Sequence, residues 1–148
     1  MHRTGTSCLV ALILVSTLSA FGHVRMSPAE SAAGATQRYA MSVPTERDSP
    51  TVRLEIVFPS AVSVVSFEAK PGWMVEQKKN ADGKIIGAVW SGGSIAFADR
   101  ADFYFQAQNP PAAMKLEWKV VQIYEDGTRS EWTGPETSRT PSPVTNVK

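Results

Sequence analysis

Seven short runs rich in β-branched and aromatic residues occupy residues 37–43, 52–58, 62–69, 73–78, 84–90, 102–108 and 114–124, and Pro, Gly, Asn and Asp separate them. Runs of this length between turn-forming residues predict an all-β sandwich or barrel. In 102–108, Phe103, Phe105 and Ala107 point one way and Tyr104 and Gln106 the other, so one face is core and one is wet. Asp82-Gly83 joins the run starting at Trp73 to the run starting at Lys84, and Asp126-Gly127 follows Tyr124. Each supplies the positive φ that a tight hairpin needs. Prolines 44, 50, 59, 71, 110, 111 and 135 fall between the runs, as expected of a residue that cannot donate to a strand ladder. Gly92-Gly93 reads as a turn signal. No stretch keeps a helical period, and the tail from Pro135 to Lys148, rich in Pro, Thr and Ser, reads as extended or loosely ordered.

The start of the chain follows a different rule. Arg3 precedes an apolar run over residues 8–18, which ends in Ser19-Ala20-Phe21-Gly22. This is the order of a signal peptide, with Ala20 and Gly22 where the peptidase takes small side chains, and cleavage is expected before His23. About 11 apolar residues are too few to span a bilayer, which takes roughly 20. The segment is therefore read as a leader and not an anchor, and residues 23–148 as a soluble product with no later apolar span.

Removing residues 1–22 takes away Cys8, the only cysteine, and His2, one of two histidines. The product then has neither a disulfide nor a thiolate ligand, and its sole histidine is its first residue. Losing Arg3 brings the 15 basic side chains level with the 14 acidic ones, so nothing suggests a nucleic-acid footprint or a polybasic membrane surface. HExxH spacings, His clusters and glycine-rich phosphate loops are absent, and one histidine cannot build a Ser-His-Asp triad away from the terminus. What remains is the terminal histidine. A free α-amine and an imidazole both shed protons near neutral pH, and the amine nitrogen and ring Nδ1 of one residue can chelate a single ion. Nitrogen donors in a tetragonal arrangement suit Cu(II), which heads the divalent affinity series. The competing reading is a frayed terminus that binds nothing.

Other segments bear on that choice. The stretch from His23 to Ala35 resembles the mature start of the YcnI-like copper-binding domain family. Further matches follow in order: Val43-Pro44-Thr45-Glu46-Arg47-Asp48, Pro71-Gly72-Trp73, Trp90-Ser91-Gly92-Gly93, Trp118-Lys119-Val120-Val121-Gln122, Tyr124-Glu125-Asp126-Gly127 and Trp132-Thr133-Gly134-Pro135. The resemblance implies a signal peptide over 1–22, a single antiparallel β-sandwich of cupredoxin-like or immunoglobulin-like appearance over 23–135, and an extended tail over 136–148. It also implies a Cu(II) ion held by the amine and ring of His23, helped by Glu46, with Trp132 close to the metal. The family often has Asn where this chain has Thr45, a change that flanks the site without removing a ligand.

Each of these residues has an ordinary alternative. Glu46 could be a solvated loop carboxylate, and Glu30 is its rival as oxygen donor. Trp132 could be core, the expected fate of Trp73, Trp90 and Trp118. Arg47 and Asp48 could support the site or form a surface pair. Met26, Met41, Met74 and Met114 lack a clustered spacing and read as gap-fillers, not as a Cu(I) site.

Three functions compete. One is copper binding outside the cytoplasm for storage, acquisition or hand-over, with no turnover; by resemblance the recipient would be a copper-transport membrane protein or another copper chaperone. The second is a redox enzyme of the histidine-brace kind, which needs a second histidine that residues 23–148 lack. The third is a non-metal module that stacks tryptophans on sugars, which an aromatic row on a wet strand face would support. The first is the expectation carried forward.

Overall fold

Alternation builds this structure. The computed structural model describes residues 22–148; the leader reading of residues 1–21 lies outside the described residues. Its strands are β1 (Arg25–Ser27), β2 (Glu30–Ser31), β3 (Thr36–Pro44), β4 (Thr51–Val57), β5 (Ser63–Phe67), β6 (Met74–Lys79), β7 (Ile85–Ile95), β8 (Arg100–Gln108), β9 (Met114–Glu117), β10 (Lys119–Tyr124), β11 (Arg129–Trp132) and β12 (Val144–Val147). No helix occurs among the described residues.

A four-stranded sheet in the order β1-β3-β8-β5 faces a five-stranded sheet in the order β11-β10-β4-β7-β6, and a small third sheet, β2-β12-β9, closes one end. The two large sheets are antiparallel throughout. Tyr39, Met41 and Val43 of β3 and Phe103, Phe105 and Ala107 of β8 are fully buried on one layer. Leu54, Trp90 and Val120 meet them from the other, and Trp118 from the connection between β9 and β10. This is an all-β sandwich with the wet and dry faces that the run 102–108 predicts. Asp82-Gly83 and Asp126-Gly127 close the β6–β7 and β10–β11 hairpins, with φ of 80° and 83° at the glycines.

Three sequence expectations change. The run 114–124 is two strands, because the Trp118 amide leaves the ladder to donate to Pro143 O at 2.9 Å. β9 therefore pairs with β12, while β10 pairs with β4 and β11. Gly92-Gly93 is no turn between strands: it lies inside β7, where Ser91 and Ile95 face Arg53 and Thr51. Gly92, Gly93 and Ser94 of β7 thus stand opposite the single Val52 of β4, a bulge. The bulge leaves room for the Trp73 indole, which lies where a side chain on Gly93 would project. The tail is ordered at its end: β12 pairs antiparallel with β9 and parallel with β2, burying Thr145 and Val147. The packed unit therefore runs through Val147, beyond Pro135.

Candidate metal centre

His23 stands two residues before β1 and is itself exposed, but the backbone around it is held. Val24 and Met26 are buried, and Arg25 and Met26 pair with Ser42 and Met41 of β3. The Arg100 guanidinium donates to the His23 carbonyl at 3.3 Å, while its Nη1 donates to Ser42 O and Oγ at 3.2 and 2.9 Å. Burial and nearby Arg25 lower the pKa of this guanidinium, and Asp102 and Glu46 oppose them. Arg100 thus stands within the field of both ends of the site.

Glu46 follows the end of β3. Its neighbour Thr45 donates its amide to Asp99 O at 3.0 Å and accepts the Ala98 amide at 2.9 Å. Ala98 adopts φ 67° in the tight turn from Ala96 to Asp99, a conformation that a residue with a Cβ takes only when its surroundings impose it. That clamp fixes where Glu46 starts. A methyl carbon added to Gly22 would lie 3.1 Å from Oε2 and 3.4 Å from Oε1 of Glu46. The carboxylate therefore packs against the residue that precedes His23.

Trp132 ends β11 and is only 6% exposed. Its ring centroid is 5.7 Å from that of His23, with the planes inclined at 58°. A cavity of about 250 Å³ opens here, lined by Gly22, Glu46, Gln122, Tyr124 and Trp132 among others. Glu46 and Trp132 thus share this cavity with Gly22, and His23, which lines a neighbouring one with Val24 to Met26, meets the site through the Trp132 ring. Glu30 does not join them; it pairs with Lys148 at the β2–β12 sheet. Arg47 stacks over Tyr124 at 4.5 Å and donates to Thr128 Oγ1 at 3.0 Å. Thr45 faces inward, its hydroxyl 2.6 Å from that of Thr51.

No group of three or more His, Cys, Asp or Glu side chains that could hold a metal exists among the described residues. Side chains alone give one imidazole and one carboxylate, so a closed ligand set needs a further donor, and the α-amine that cleavage would release at His23 is the nearest candidate. Two residues that sequence reasoning passed over also belong here. Arg100 holds the His23 carbonyl, and Gln122 accepts the Trp132 indole N–H at 3.0 Å. The sequence did signal Gln122, a polar residue at an inward position of β10 between Val120 and Tyr124.

The fold defines a class: an immunoglobulin-like β-sandwich. Residues 23–147 match the family described as Domain of unknown function (DUF1775), and the chain belongs to that family. It is 38% identical over 141 residues to the "Copper-binding protein CutI" of Bacillus subtilis (strain 168), covering 94% of this chain and 69% of that protein. The resemblance to YcnI-like proteins read from the motifs therefore stands. Among solved structures, a protein of Nocardia farcinica described as having an immunoglobulin-like fold superposes with a TM-score of 0.75 at 21% identity, covering 84% of this chain and 97% of that one. A cohesin module from a Clostridium perfringens family 33 glycoside hydrolase follows at 0.56 and 16% identity, covering 86% and 96%. At such identities the two structures speak to the fold alone.

Proposed function

We propose that this is an exported copper-binding protein, acting in the periplasm or outside the cell, that holds one Cu(II) ion at His23 after the leader is removed. The α-amine and Nδ1 of His23 chelate the ion, the Glu46 carboxylate supplies an anionic oxygen, and Trp132 shields the site from water. The ion is cargo, kept for storage, acquisition or transfer to a copper-transport membrane protein or another copper chaperone.

The observation that carries this reading is that Trp132 faces the His23 ring while Glu46 packs against Gly22, the residue joined to His23. The Glu46 carboxylate packs against Gly22, the residue that cleavage removes. Processing would replace a neutral peptide unit with an amine at that carboxylate and vacate the space beside it. The family match that begins at His23 and the copper-binding name of the Bacillus relative support the same reading. A histidine-brace oxidase lacks its second imidazole in residues 23–148. A sugar-stacking surface lacks its aromatic row, since Trp90, Trp118 and Trp132 are buried and Trp73 packs edge-on against Phe103.

The test is Cu(II) titration of the chain starting at His23 against the same chain with one residue added before it. Stoichiometric binding that the extension weakens severely is the expected result. Equal affinity in the two would overturn the chelate.

A further inference from the structure

Gln122 is fully buried on the inward side of β10, where Val120 and Tyr124 flank it. An amide in such a place costs about 1–3 kcal/mol unless its hydrogen bonds are made, and an apolar side chain of equal size would fill the same space without that cost. Here the amide is engaged on every side. Oε1 accepts the Trp132 indole N–H at 3.0 Å, and Nε2 donates to Pro44 O and Thr51 Oγ1, each at 2.7 Å. The indole can only donate and the proline carbonyl can only accept, so the amide has one orientation.

Its partners lie on three elements. Trp132 ends β11, Pro44 ends β3 two residues before Glu46, and Thr51 begins β4. The Thr51 hydroxyl in turn meets that of Thr45, the residue beside Glu46. One side chain therefore joins the indole that faces His23 to the backbone that carries Glu46, on the wall of the cavity that Glu46 and Trp132 share.

We infer that Gln122 is the positioning residue of the copper site, setting the plane of the Trp132 ring and the placement of Glu46 relative to His23. The inference rests on the copper reading above. Gln122 touches no metal; it acts through the indole and through Pro44.

The test is a double-mutant cycle in the chain starting at His23, using Gln122→Met, Trp132→Phe and the pair, with Cu(II) dissociation constants and melting temperatures measured for each. Gln122→Met is expected to weaken Cu(II) binding about tenfold, which is ~1.4 kcal/mol. In the Trp132→Phe background, where the indole donor is gone, the same change should weaken it by less than about threefold, because coupled residues are not additive. Fully additive losses, or a lowered melting temperature with unchanged affinity, would overturn the inference and leave Gln122 a core residue. If Gln122→Met does not fold, Thr51→Val removes one acceptor of Nε2 at nearly constant volume; a several-fold loss of affinity is expected, and an unchanged affinity overturns the proposal. A parent chain that takes up no Cu(II) sinks the copper reading and this inference together, whereas a binding parent with an additive cycle sinks this inference alone.

Discussion

The imidazole of His23 and the indole of Trp132 stand 5.7 Å apart, inclined at 58°, and the indole is tied from behind by Gln122. Cu(II) bound at His23 would therefore lie close to one particular tryptophan of four. Cu(II) titration should quench tryptophan emission, and Trp132→Phe should remove most of that quenching. Trp73→Phe should leave it, since Trp73 packs against Phe103 in the opposed sheet. Glu46→Gln should alter the copper absorption spectrum more than Trp73→Phe does, and equal effects from all three would point to ordinary packing.

Copper affinity should fall as pH drops, because an amine and an imidazole that take up protons can no longer donate to the ion. The extended chain, which has no α-amine at His23, should show a shallower dependence. Copper titration of both forms at a series of pH values separates the two.

Arg100→Gln removes the guanidinium that holds the His23 carbonyl and the Ser42 strand end. A lost hydrogen bond to a charged group corresponds to about 1.5–3 kcal/mol when well shielded, and Arg100 is only partly buried, so the effect should fall below that. Copper affinity should drop several-fold with little change in the melting temperature, as read by parallel titration and thermal denaturation. Arg100→Lys should recover part of it.

The bulge at Gly92-Gly93 was invisible in the sequence, where two glycines look like any turn. What decides it is Trp73: a Cβ on Gly93 would lie 2.2 Å from the Trp73 ring. Gly93→Ala should therefore force the indole out of place and destabilise the fold by about 1–3 kcal/mol, as overpacking does. Urea denaturation measures the loss of stability, and comparing the emission change with that of Trp73→Phe isolates the displaced indole.

The same contrast holds across the fold. The strands that line the core were legible because Phe103, Phe105 and Ala107 alternate with polar residues over a full strand. β1, β2, β11 and β12 were not, since two to four residues carry too little alternation to register and gain their place only by pairing. The run 114–124 read as one strand because nothing local marks Trp118 as the residue that turns toward Pro143. Among the site residues, His23 was legible from the leader pattern, and Glu46 and Trp132 came only through resemblance to a family. Glu46, just past β3, and Trp132, at the end of β11, come to one cavity from different sheets, linked through Gln122 of β10, which periodicity does not encode. Arg100 reads as an ordinary charge at a strand start until the His23 carbonyl is seen beside it.

Tyr39 gives a prediction independent of copper. Its hydroxyl donates to Asn109 Oδ1 inside the core, and burial pushes its pKa above the usual value of about 10, against the hydrogen bonds to Ser31 and Asn109. The native state holds this proton more tightly than the unfolded chain does. The stabilisation is therefore complete below about pH 10 and is lost as pH rises through the native value. Tyr39→Phe should remove that alkaline component. At neutral pH it should cost about 1–2 kcal/mol, because Asn109 loses a donor. Denaturant melts from pH 7 to 11 test both parts.

Lys148 donates its amide to Ser31 O and accepts that of Ala33, so the backbone that follows β12 is stitched to β2 and the residues just after it. Neither residue 23 nor residue 148 is then a good place for a handle. A tag before His23 would abolish the amine, and one fused directly to Lys148 would strain the seam that steadies the opening strands. Affinity tags and reporter fusions belong instead in the Asp82-Gly83 hairpin, an exposed tip on the far edge strand from β11 and Trp132, where an insertion leaves His23 and the seam at Lys148 undisturbed.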